Sequence, residues 1–147
     1  MFDDVDDLFT LATACIGPTL GQVEQNLRAS GYAPEQVDTI LMTHLHPDHV
    51  CGLVDENGEA VYPNAELRAS EGDADFWLDE ERSQALPEEE RAFFTMAQEA
   101  VAPYQEAGRF SPFASGDELL MGIVARDTHG HTPGHASFML NSGEDAM

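Results

Sequence analysis

Lysine is absent from the 147 residues, and the six basic residues, all arginine, stand against 28 aspartates and glutamates, a formal net charge of -22 at pH 7. A field of that sign repels phosphate backbones and anionic headgroups, which excludes nucleic acid as a partner and a charged membrane surface as a docking place. Long apolar runs are missing too: none approaches the ~18 residues of a membrane span. The opening MFDDVDD carries acid where a secretory signal carries Lys or Arg. These absences lead to the expectation of a soluble, cytoplasmic protein. Cysteine is scarce; Cys15 and Cys51 cannot build the disulfide framework of a small secreted scaffold and are read as free thiols. The acidity itself speaks of solubility and environment more than of chemistry.

What is present suffices for one domain, since ~100 to 200 residues is the usual size. Leu, Ile, Val and Phe together make about 22% of the chain, just above the ~20% below which a highly charged chain stays disordered. No internal repeat appears, and Gly and Pro punctuation is spread over the whole length. From Thr19 to Ser30, Leu20, Val23 and Leu27 fall at i, i+3 and i+7, with Thr19 placed as N-cap and Gly31 just past the end. That spacing predicts an amphipathic helix lying against a sheet. Val37 to Thr43 is a short β-branched and apolar run, expected as a strand buried on both faces. Ala60 to Ser70 is broken by Pro63-Asn64, which predicts an irregular strand or hairpin.

Pro87 followed by Glu88, Glu89 and Glu90 marks a helix start, with acids at the positive end of the dipole. The helix is expected to run to about Ala100 with Phe93, Met96, Ala97 and Ala100 on its apolar face. Further strands are expected around Arg109 to Phe113, Ile123 to Asp127 and Ser137 to Leu140. Alternating strands and helices favour an α/β fold.

Chemistry concentrates in two places. Thr43-His44-Leu45-His46-Pro47-Asp48-His49 holds three of the six histidines and an aspartate. At a strand end, side chains two apart point to one side, so His44 and His46 can present two imidazoles to one point. Pro47 then turns the chain, leaving Asp48 and His49 to serve a neighbouring position. Imidazole and carboxylate are the ligand set of borderline divalent metals. Far downstream, His129-Gly130-His131-Thr132-Pro133-Gly134-His135 can complete such a site, because three protein ligands with an open position is the catalytic pattern for zinc. The aromatic residues Phe76, Trp77, Phe93, Phe94 and Phe113 either line an apolar pocket or belong to the core; Phe93 is expected in the core, and Trp77, flanked by acids, stays open.

HLHPDH at 44–49 followed by GHTPGH at 130–135 resembles the metallo-β-lactamase-fold hydrolase superfamily. The flanking words GPTLG (17–21), ASGYAPEQVDTILMTHLHPDHVCGL (29–53) and YPNAEL (62–67) are most similar to the branch holding methyl parathion hydrolase and lactonase-like proteins. The resemblance implies an αβ/βα sandwich, incomplete here, with about the first half present and both the opening strands and the C-terminal half lacking. The chain is expected to be a single partial domain over 1–147, with a divergent or disordered start at 1–16. It further implies His44, His46 and His131 on a first zinc ion and Asp48 and His49 on a second, two ions per complete site.

On this resemblance a metal-bound hydroxide attacks an ester, lactone or phosphotriester of small size, and Asp48 binds metal and helps hold the nucleophile. Two alternatives stand beside it: a mononuclear iron sulfur dioxygenase on the same fold, and a truncated, non-catalytic metal-binding piece. His135 is expected to orient its loop and His129 to be an ordinary loop residue, while Cys51, where the family usually carries glycine, reads as a small buried filler. The late bridging aspartate and last histidine of the family have no counterpart before Met147. An incomplete sandwich exposes apolar sheet surface, so self-association into a homo-oligomer is expected.

Overall fold

The computed structural model describes residues 22–142 and 145–146. The expected cap at Thr19, Leu20, Cys15 and the expectation for 1–16 therefore lie outside the described residues. The first helix among the described residues, α1 (Val23–Ala29), packs Leu27 against the core. Val23, expected to face the sheet, is exposed.

The expected strand at 37–43 is present as the three-residue β1 (Thr39–Leu41), half-buried rather than buried on both faces. It pairs in parallel with β2 (Glu66–Arg68), Ile40 opposite Leu67. Of the irregular strand or hairpin expected at Ala60–Ser70, a strand is present as β2, whose partner is β1 across a crossover rather than a hairpin neighbour. The chain leaves β1, forms α2 (Pro47–Val50) and a 3-10 turn (Cys51–Leu53), and returns alongside. Pro63-Asn64 is a turn within that return, not the centre of a strand pair. Residues 110–113 continue the parallel arrangement on the far side of β2 through bridges Leu67–Phe110 and Ser70–Phe113.

Three helices lie between β2 and that segment: α3 (Glu71–Trp77), α4 (Glu80–Gln84) and α5 (Glu88–Glu106). Helix α5 starts where Pro87 and three glutamates place it but runs past the expected end at Ala100. It continues through Pro103, whose missing N–H would have met the carbonyl of Glu99, an exposed residue whose carbonyl can turn to water. It ends at Gly108, φ 66°, where the amide of Arg109 donates to Tyr104 O at 2.8 Å. This is a glycine-terminated cap in which only a residue without Cβ takes the left-handed turn cheaply.

The buried face of α5 is Phe94, Ala97, Ala100, Val101 and Tyr104. Phe93, expected in the core, is 53% exposed. Ala97 and Ala100 lie on the buried face as expected, but Phe94 takes the place of Phe93, its ring meeting Trp77 and Phe76 with centroids 4.7 and 5.3 Å away. Trp77 is accordingly buried. Tyr104 fixes the turn beyond α2, its hydroxyl donating to Leu53 O at 2.9 Å.

The remaining chain forms an antiparallel sheet of β3 (Glu118–Leu120), β4 (Ile123–Asp127), β5 (Ala136–Ser142) and β6 (Asp145–Ala146) in sequential order. Its small core of Phe113, Leu119, Ala125 and Ala136 is separate from the main cluster. The Ala136 amide donates to Thr43 O at 2.8 Å, joining this sheet to the loop after β1. Parallel strands with crossing helices, followed by an antiparallel sheet, make an α/β architecture. No helix among the described residues is long and apolar enough to cross a membrane.

Candidate metal centre

The last ladder bond of β1 runs from Met42 N–H to Arg68 O, 2.8 Å. Beyond it the chain bends at Thr43 and is extended at His46, just before the next helix. Leu45, fully buried, plugs the core. His44 and His46, on either side of Leu45, bring their rings together, centroids 4.8 Å apart. Pro47 opens α2, which places Asp48 in its first turn and His49 in its last. The second loop, 128–135, joins β4 to β5 and closes through Thr128 N–H to His135 O (3.0 Å) and Gly130 N–H to Thr132 O (3.0 Å). Gly130 at φ 138° makes a bend that a side chain would strain.

These two loops meet. One ligand nitrogen from each of His44, His46 and His131 lies within 4.8 Å of the others, and His44, Asp48 and His49 form a second such group. His46 Nδ1 and His131 Nε2 stand 3.1 Å apart across 85 residues of sequence. Two nitrogens each ~2.0–2.1 Å from a tetrahedral zinc would be about 3.3 Å apart, so the pair is spaced as ligands of one ion would be. His44 is the hub, its ring 4.8 Å from His46, 4.0 Å from His49 and 4.7 Å from His131.

The hub is also the most perturbed group. Burial, reinforced by the charges of His49, His46, His131 and His135, lowers the His44 pKa from 6.5 to about 4. Burial, then His131, lowers that of His46 as well, against the pull of Asp48 and Asp73. Neutral imidazole is the form that binds metal. His44 Nδ1 lies 3.0 Å from Thr43 Oγ1, while its Nε2 is buried without a hydrogen-bond partner. A buried polar atom left unpaired is costly, and a cation at the convergence point satisfies it. The donor set therefore fits a divalent metal.

Other histidines differ in role. His129 turns away, its Nδ1 2.9 Å from the Asp127 carboxylate and its side chain 69% exposed. His135 Nδ1 is tied to Thr128 Oγ1 at 2.9 Å, inside its own loop. Cys51 is half-buried rather than a fully buried filler, and burial, with Asp48 and Glu99 adding to it, pushes its thiol pKa up. It stands outside both ligand groups.

Sequence reasoning missed Asp73 and left Trp77 open. Asp73, fully buried, accepts from Leu45 N–H (Oδ2, 2.8 Å) and Gly134 N–H (Oδ1, 2.8 Å). Trp77 sets its ring edgewise on His46, centroids 5.1 Å apart. The only sequence signal for Asp73 is the Ser70-x-x-Asp73 capping pattern, which points to a helix start and nothing more. Of the five aromatic residues considered for a pocket, Phe76, Trp77 and Phe94 stack on one another, Phe113 sits in the smaller core, and Phe93 faces solvent.

Comparison with known proteins follows this geometry. The sequence profile described as "Metallo-beta-lactamase superfamily" matches residues 12–146. Among solved structures, the hydrolase AbOPH of the beta lactamase superfamily is 46% identical with a TM-score of 0.78, covering 90% of this chain and 46% of its own. AidC, a dizinc quorum-quenching lactonase, is 24% identical with a TM-score of 0.73, over 85% of this chain and 44% of its own. An N-acyl homoserine lactone hydrolase with N-hexanoyl-L-homoserine at its catalytic metal center is 22% identical, TM-score 0.56, over 83% and 40%. The last two likenesses speak for the fold alone. No curated protein matches the chain. The chain spans about half the length of the solved structures it resembles. With the profile match covering nearly all of its residues, the chain belongs to the metallo-beta-lactamase superfamily.

Proposed function

We propose that the chain acts as a metal-dependent hydrolase on an ester, lactone or phosphotriester of small size. His44, His46 and His131 would hold one zinc ion, and Asp48 and His49, beside His44, would serve a second. The observation that carries this reading is the meeting of two histidine loops around a buried, neutral His44 whose Nε2 has no protein partner. The 46% identity to a hydrolase supports the reaction class, and the resemblance of the flanking words supports the substrate classes.

A divalent cation held there would polarise a carbonyl or phosphoryl oxygen and lower the pKa of water into the neutral range. The protein's own share is positional. Thr43 and burial fix the His44 ring and keep its lone pair free. Trp77 closes one side of His46. Asp48, exposed beside His49 with Oδ2 3.6 Å from Nε2, would bind the second ion and help hold the attacking water. No serine or cysteine nucleophile is required.

The test is elemental analysis of the purified chain beside His44→Ala and His131→Ala, with a screen of ester, lactone and phosphotriester substrates. The expected result is bound zinc in the parent, none at the first position in either variant, and hydrolysis that follows the metal. Unchanged zinc content in both variants refutes the assignment.

A further inference from the structure

We propose that Asp73 is a positioning residue of the metal centre, a clamp whose two carboxylate oxygens hold the two histidine loops in register. The inference rests on the metal-centre reading above. Its observation is separate: one fully buried carboxylate bonded to backbone 28 residues upstream and 61 residues downstream.

The bonds go where each loop needs them. Leu45 N–H lies past the last ladder bond of β1 in a buried stretch, where an unpaired amide is costly. Gly134 N–H lies in the Thr132-Pro133-Gly134 bend. One residue on either side of Leu45 are His44 and His46, and three residues before Gly134 is His131. Movement at either end of the clamp therefore moves a ligand, and metal sites tolerate only about ±0.2 Å.

Local structure does not account for this use of Asp73. As the third residue of α3 it would, in a capping box, reach back to the amide of the cap residue. Ser70 does perform its half, accepting from Asp73 N–H at 3.1 Å, but the Asp73 carboxylate is turned outward to the two loops. Ser70 Oγ also donates to Gly134 O, so the loop is held at both its amide and its carbonyl. The approach is so close that a Cβ on Gly134 would collide with Asp73 N, Ser70 Oγ and the Gly72 carbonyl carbon. A Cβ on Gly72 would stand 3.0 Å from Gly134 Cα.

None of the ion pairs among the described residues involves Asp73. Its carboxylate is bonded to the two loops that carry His44, His46 and His131, where a bound cation would complement it. Partners of this kind, acting on the ligands rather than the metal, typically carry 10–100-fold in affinity.

The experiment measures zinc affinity by competition with a chromophoric chelator, and the visible spectrum of the cobalt-loaded protein, for the parent, Asp73→Asn, Asp73→Ala and the distant core variant Val101→Ala. Asn keeps the shape but turns an amide N–H toward one of the two donors. The expected result is at least tenfold weaker zinc binding and an altered cobalt band in both Asp73 variants, with Val101→Ala matching the parent within threefold although less stable. Parent-like affinity and spectrum in Asp73→Asn overturn the clamp while leaving the metal centre intact. A parent chain that takes up neither ion overturns both. Should neither Asp73 variant fold, amide exchange in the parent decides: zinc is expected to slow exchange at Leu45 and Gly134 together at least tenfold, since coupling is reciprocal, and no slowing overturns the clamp.

Discussion

Leu45→Ala tests whether the residue between the two metal-facing histidines anchors the loop in the core. The leucine is fully buried and belongs to the main core cluster. Truncation removes three carbons, ~0.8 kcal/mol each by transfer, about 2.4 kcal/mol in all. The surrounding elements are tied by backbone bonds on both sides of the site and cannot collapse fully, which adds a cavity contribution and places the total at about 3 kcal/mol, within the ~2–5 kcal/mol of such changes. Against the ~5–15 kcal/mol that stabilises an ordinary domain, that is a large fraction. Urea unfolding followed by far-ultraviolet circular dichroism, with a chelator present, measures it. The slope should not change, since the exposed surface is nearly the same. A loss below about 1 kcal/mol refutes the reasoning, because Leu45 would then not be what seats the loop.

Three further outcomes are expected. His129→Ala should leave zinc content unchanged, because its ring is occupied by Asp127 outside the ligand groups; loss of metal on elemental analysis would contradict the geometry. The metal-free protein should lose stability as pH falls from about 6.5 to about 4: unfolded His44 takes up a proton near 6.5, the folded state does not until about 4, so the unfolded state binds more protons in that window and stability rises with pH, by at most ~1.4 kcal/mol per pH unit. Urea midpoints at pH 7, 6 and 5 should show a shallower dependence for His44→Asn, and identical slopes would refute this. Trp77 is the single tryptophan and touches His46, so stoichiometric cobalt(II) should quench its emission by more than half in the parent and not in His131→Ala; unquenched parent emission would count against metal beside His46.

Much of the fold could be read from the chain. The start of α5 followed from Pro87 and its glutamates, and β4 and β5 from short apolar runs between glycines and prolines. The face of α5 could not, because adjacent Phe93 and Phe94 fit a helical stripe about equally well and the choice belongs to Trp77 and Phe76, which are distant in sequence. The partner of β1 was equally hidden: Pro63-Asn64 is a local turn signal, whereas parallel pairing is a long-range event. At the site, histidine spacing pointed to the two loops that the fold brings together. Asp73 stayed invisible because an acid three residues after a serine already has a local explanation, and only the folded chain reveals which amides it meets.

The 85 residues between His46 and His131 also order events in time. At ~5–20 residues per second of translation, the ribosome delivers the first histidine loop about 4 to 17 seconds before its partner. During that interval the nascent chain offers only an incomplete chelate. On the proposed ligand set, capture of an ion at full strength would wait until β4 and β5 have emerged and the second loop has met the first.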